Sequence, residues 1–188
     1  MKKDLGVKPY LFPMPVLIVG TYSEDGTPDA MNAAYGTLAD FDRVALYLSA
    51  GHKTVANIKN RKAFTVAIAD DKHVVPCDYV GIVSANTDKK KMEKSGFTLK
   101  KSKFVDAPII EELPITLECK LDYIDEKSEA VYGEIVNIVA DESVLTDGNA
   151  DITKISPLIY DPASRFYFKT GEKVGVAFHD GAALKNNG

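Results

Sequence analysis

The order of apolar patterns predicts a mainly β chain of the α+β kind, a Greek-key barrel with short helical insertions. Three observations carry this reading. Alternation with period two recurs along the chain: Ile115, Leu117, Cys119, Leu121 and Tyr123 stand against Thr116, Glu118, Lys120 and Asp122, and Val44, Leu46 and Leu48 against Ala45, Tyr47 and Ser49. Turn chemistry joins neighbouring runs, as at Asp25-Gly26, where glycine supplies the positive φ of a hairpin. Helical spacing is confined to a few short stretches near the middle, unlike the regular strand–helix alternation of a doubly wound sheet.

Taken in order, residues 15–22 form a continuous apolar run suited to a strand buried on both faces. Residues 23–28 turn the chain, and a second strand is expected over residues 30–38. The strand of residues 43–49 leads into Gly51-His52-Lys53-Thr54, where Thr54 can cap a short helix carrying Val55 and Ile58 on one side. Phe64, Val66 and Ile68 alternate in a further strand, then residues 74–84 and 89–95 show helical spacing, the second closed by Gly96. The strand of residues 115–123 returns through a turn at 125–128 into residues 130–139, which are apolar on both faces. That second apolar face calls for a cover, for which a second subunit is the expectation. Tyr160 and residues 165–169 read as late short strands.

The 188 residues suit one domain spanning 1–188, with length enough for a real core. A net charge of −4 argues against nucleic acid as a partner. The lysine-rich stretch from Asp88 to Lys103 reads as a solvated helix and loop. Cys77 and Cys119 are far apart and outside any metal-ligand spacing, and neither they nor His52, His73 and His179 form a metal-binding pattern. The apolar run from Val16 to Val19 is too short for a leader or a membrane span, so a cytoplasmic protein is expected. There is no dinucleotide fingerprint, P-loop or nucleophile elbow.

The turn at 51–54 is the strongest candidate site. Lys53, Thr54 and the amides of Val55 and Ala56 can embrace a phosphate at a helix start, although Thr54 as a simple cap with Lys53 as a surface charge fits the spacing as well. Asn32, Ala33, Ala34 and Tyr35 offer small side chains and an aromatic wall for a flat ring, or ordinary packing in a twisted strand.

These residues, with Pro13-Met14-Pro15-Val16, Ser49 and Asn57-Ile58, resemble the flavin reductase-like FMN-binding split-barrel proteins. Asp78-Tyr79-Val80-Gly81, Ala107-Pro108-Ile109-Ile110, Gly133-Glu134-Ile135-Val136 and Gly171-Glu172-Lys173-Val174 are similar to the flavoredoxin branch. The resemblance implies a Greek-key split barrel, a homodimer and non-covalent FMN at the subunit interface. It places Asn32, Ala33, Ala34 and Tyr35 at the isoalloxazine and ribityl chain, Ser49, His52, Lys53 and Thr54 at the phosphate end, and Lys91 near the flavin. Chemistry then belongs to the flavin rather than to catalytic side chains. The implied activity is an FMN-dependent oxidoreductase drawing electrons from NAD(P)H or from a protein donor and passing them to flavin, ferric or protein acceptors, with a non-catalytic electron carrier as the alternative. Three departures stand out: Tyr35 replaces a Trp, Ala85 and Lys90 replace a Gly and an Asp, and the Gly-Asp-His motif of two-component flavin reductases is not matched before Gly133, where the chain reads Ser128-Glu129-Ala130-Val131-Tyr132.

Overall fold

A computed structural model describes residues 1–185. In chain order its elements are β1 (Met14–Pro15), β2 (Leu17–Tyr22), β3 (Pro28–Ala33), β4 (Gly36–Asp40), β5 (Arg43–Tyr47), α1 (Lys53–Arg61), β6 (Ala63–Ile68), α2 (Val74–Ile82) and α3 (Lys91–Ser95). There follow β7 (Leu99–Lys101), β8 (Pro108–Ile110), β9 (Ile115–Asp125), β10 (Ala130–Ala140), β11 (Leu145–Thr146), β12 (Asn149–Ala150), α4 (Ile152–Ile155), β13 (Leu158–Asp161) and β14 (Phe166–Lys169).

Seven strands make one antiparallel sheet in the order β3-β2-β6-β9-β10-β5-β4. Its two edge strands, β3 and β4, are joined by Ala34 and Tyr35 alone. Six strand spacings laid flat would cover about 29 Å, whereas two intervening residues reach at most about 11 Å. The sheet must therefore curl until its edges meet, yet no ladder closes β3 to β4. The result is a barrel with a split. The sequence pattern read residues 30–38 as one strand; the chain instead breaks at Ala34–Tyr35, because it must step there from one edge of the curled sheet to the other.

The interior is packed by Leu17, Val19, Leu46, Ile58, Phe64 and Val131. A second cluster, including Val16, Ile18, Ala67, Cys77, Val80 and Ile110, lies on the outer face. Strands β2 and β6 are thus buried on both sides, which explains their unbroken apolar sequences. Residues 14 and 15 belong to a separate three-stranded sheet, β1-β13-β14, so the run from residue 15 serves two sheets. The β7–β8 hairpin has no period-two signal long enough to announce it.

Gly133 leaves room for a ring: a Cβ there would lie 2.3 Å from Cζ of Phe64, a fully buried residue. Gly133→Ala is expected to cost about 1–3 kcal/mol by overpacking, read as a lower urea midpoint with unchanged slope. No helix among the described residues is long and apolar enough to cross a membrane.

Both cysteines are free and buried, and burial pushes each thiol up to about 12. Their folded pKa values lie above those of the unfolded chain, so this contribution to stability is complete below about pH 8.5 and is lost as pH rises toward 12. Ellman's reagent at pH 8 is expected to label neither thiol until the protein is unfolded, and rapid labelling of the native protein would contradict their burial.

Candidate functional site

The split of the barrel opens into a cavity of 540 Å³. Asn32, Ala33, Ala34 and Tyr35 enter it from the crossing between β3 and β4, and Ser49 and His52 from the loop after β5. Asp78 and Gly81 of α2, and Tyr160, Arg165 and Tyr167 of the β13–β14 hairpin, complete the wall. A second cavity of 250 Å³ adjoins it, lined by Gly51, His52, Lys53 and Thr54 at the start of α1, by the loop after α2, and by Asp29 and Lys91. Asn32, His52 and Gly81 border both spaces. All nine residues singled out from the sequence therefore line this one double cavity, with Lys91 at its smaller end; Ser49, expected beside Lys53 and Thr54, lines only the larger lobe, and His52 borders both.

Several contacts hold the larger lobe in shape. Asn32 Nδ2 donates to the Cys77 carbonyl at 3.0 Å, tying β3 to α2. The close approach continues at Gly81, where a Cβ would sit 2.9 Å from that of Asn32. Tyr167 Oη donates to Asp78 Oδ1 at 2.7 Å. Burial, then the Asp78 carboxylate, pushes the Tyr167 phenol well above the usual range, so it remains a donor at all ordinary pH. The alanines leave β3's end open to a flat group, and Tyr35 is half exposed at the rim.

The smaller lobe is built for an anion. His52, in extended conformation, precedes α1 without a side-chain cap, and Thr54 lies buried in the first turn instead of capping it. The expectation that the amides of Val55 and Ala56 face a phosphate is corrected: both donate to the His52 carbonyl, at 3.1 and 3.3 Å. The amides two residues earlier, of Lys53 and Thr54, have no acceptor among the described residues. They point the helix dipole's positive end at the cavity. Lys91 opens α3, two residues later than the helical pattern begins, and is 3% exposed. Its Nζ lies 3.0 Å from Oδ1 of Asp29, which is 2% exposed. The approach is off the angle of a hydrogen bond, and Oδ1 accepts none among the described residues, so the pair is held by charge rather than alignment. An ammonium has three donors, and one carboxylate oxygen leaves the others for the cavity.

This donor set suits a phosphate: two amides, the Thr54 hydroxyl, and the Lys53 and Lys91 ammonium groups, with Asp29, the carboxylate lining the lobe, already paired with Lys91. The sequence pattern did not single out Asp29, Asp78, Tyr160, Arg165 or Tyr167 as site residues. Only the Asp78 string carried a signal, through the family resemblance; the others reach the cavity from distant strands.

The Flavin reductase like domain model matches residues 10–168. The chain belongs to this family. It is 36% identical to flavoredoxin of Desulfovibrio vulgaris (Miyazaki F), with a TM-score of 0.92 over 96% of this chain and 100% of that one. Flavoredoxin from Methanosarcina acetivorans has the same fold at 24% identity, with a TM-score of 0.89 over 97% of this chain and 100% of the other. An FMN-binding domain of a flavin reductases-like enzyme from Shewanella baltica shares it at 22% identity, with a TM-score of 0.77 over 86% and 88% of the two chains. The fold of this flavin reductase-like chain is thus the split barrel, on the flavoredoxin branch of the family.

Proposed function

We propose that the double cavity holds FMN, with the isoalloxazine in the larger lobe and the ribityl phosphate in the smaller, and that the chain transfers electrons through it. The observation that carries this is the junction of a lobe floored by Ala33 and Ala34 with an anion lobe whose free amides and buried ammonium converge. When bound, FMN supplies hydride and single-electron chemistry that no side chain here can perform.

The protein's part is placement and electrostatics. Lys53, Thr54 and Lys91 hold the phosphate, with Asp29 keeping Lys91 in position. Asn32, fixed on the Cys77 carbonyl, and Ser49 and His52 position the ribityl chain and ring edge. Tyr35 walls the ring lobe, and Arg165 is a cation available to stabilise negative charge there. The electron source in this reading is NAD(P)H, with flavin, ferric or protein acceptors. A carrier that passes electrons between redox proteins is the second reading, favoured by the 36% identity to a flavoredoxin and by the lack of a Gly-Asp-His match in residues 128–132, before Gly133.

A second copy of the chain is the partner this reading calls for. Leu38 and Phe41 of the β4–β5 hairpin, at the edge of the split, are exposed apolar groups, as are Leu11, Phe12, Val174 and Phe178 elsewhere on the surface. The free thiols suit a reducing cytoplasm.

The test is a visible spectrum of the purified protein, followed by anaerobic titration with NADH, NADPH and a reduced ferredoxin-type donor. A flavin spectrum bleached rapidly by either nucleotide supports the reductase, and bleaching by the protein donor alone supports the carrier. A colourless preparation that takes up no added FMN would overturn both.

A further inference from the structure

The loop between β5 and α1 carries much of the anion lobe, yet little holds it in place. Leu48 and Thr54 are buried at its two ends, whereas Ser49, Ala50, Gly51 and His52 are exposed. His52 N donates to the Ser49 carbonyl at 3.0 Å, a bond internal to the loop. From Ser49 to Gly51, the only hydrogen bond to a distant part of the chain among the described residues runs from Ala50 N to Glu129 Oε1, at 2.9 Å.

Glu129 grips this loop twice. Its backbone carbonyl accepts from Leu48 N at 3.1 Å, and its carboxylate accepts from Ala50 N. The residue immediately precedes β10, and its φ of +56° lies in the left-handed region that favours glycine. A side chain with a Cβ is costly to hold there, and the contact this one makes is with the Ala50 amide. Glu129 itself lines neither lobe of the double cavity. Gly51, Lys53 and Thr54 do line the smaller lobe, and their amides have no acceptor among the described residues.

We propose that Glu129 is a positioning residue for the cofactor's phosphate, acting through the Ala50 amide. The inference rests on the reading of the double cavity as an FMN site. Free amides bind an anion best when they are already in place, because ordering a loop on binding subtracts from affinity. With Leu48 and Thr54 fixed in the core, residues 49–53 are the stretch left to order. The Glu129 carboxylate pins that stretch by a charge-assisted bond before any ligand arrives. The turn after β9 thus sets the shape of a phosphate site to which it contributes no lining group.

The test compares flavin-free protein with its Glu129→Gly and Glu129→Gln variants, titrated with FMN and with riboflavin, which lacks the phosphate. Amide exchange across residues 48–54 is followed in the same samples. Glu129→Gly keeps the fold, since glycine takes the left-handed backbone freely, but removes the tie. FMN affinity should fall about tenfold, riboflavin affinity should change little, and exchange of the Ala50 amide should accelerate even without flavin. Glu129→Gln keeps an oxygen acceptor for Ala50, and should restore both slow exchange and FMN affinity. Unchanged FMN affinity in Glu129→Gly overturns the proposal. So does an equal loss for FMN and riboflavin, which would make Glu129 a support of the whole cavity, or a glutamine variant as weak as the glycine one. Wild-type protein that takes up neither flavin overturns the cofactor reading and this role with it. Failure of the Glu129 effect alone leaves that reading standing.

Discussion

Lys91→Met is expected to destabilise the flavin-free protein by about 3 kcal/mol, the lower end of the range for breaking a buried ion pair. The substitution keeps the stem's volume but leaves the Asp29 carboxylate 2% exposed, with no cation at 3.0 Å. The lower end applies because both residues border an open cavity. Asp29→Leu combined with Lys91→Met removes the uncompensated charge and should recover most of the loss, since a neutral packed pair often matches a buried ion pair. Urea unfolding of the four members of this cycle measures the coupling. If Lys91→Met alone leaves the midpoint unchanged, the pair does not hold α3 against β3. In the same variant FMN affinity should fall roughly tenfold to a hundredfold, the loss of one charge-assisted hydrogen bond. The double variant should not recover this affinity, which separates anchoring the fold from holding the phosphate.

Lys53→Ala with Thr54→Val should weaken FMN binding further, by about 3 kcal/mol or more, or at least about a hundredfold. Each removed group would otherwise contribute about 1.5–3 kcal/mol to a charged ligand. Quenching of flavin fluorescence on titration reads this directly. The free amides of Lys53 and Thr54 survive the substitutions, so residual binding is expected rather than none. Thr54→Val keeps the shape of a buried side chain in the first turn of α1, so the fold should persist. Unchanged affinity would place the phosphate elsewhere.

How far the pattern of residues reached can be judged from these sites. The strands at β5, β6 and β9 were legible because alternation is local: each residue's face follows from its neighbours alone, and β10 was legible as a run apolar on both faces returning from a turn. The starts of α2 and α3 were legible to within two residues for the same reason. The break at Ala34–Tyr35 was not, because nothing in a β-compatible run of small residues says that the sheet's first edge must meet its last. The amides open to an anion were placed two residues too late. Where α1 begins depends on His52 accepting from Val55 and Ala56, and Thr54 is drawn into the core rather than left to cap.

Sequence by itself therefore determined the class of the fold and most of its strands through local periodicity, and ordered family motifs picked out nine residues that the fold brings to the double cavity. Tertiary structure alone decided that Asp29 neutralises Lys91, that Tyr167 and Arg165 close the larger lobe, and that Thr116 Oγ1 is left without a hydrogen-bond partner among the described residues. The physical reason is one of range. Alternation and turn chemistry act over a few residues, whereas ion pairing, cavity shape and hydrogen-bond satisfaction depend on which distant strands the curled sheet brings together.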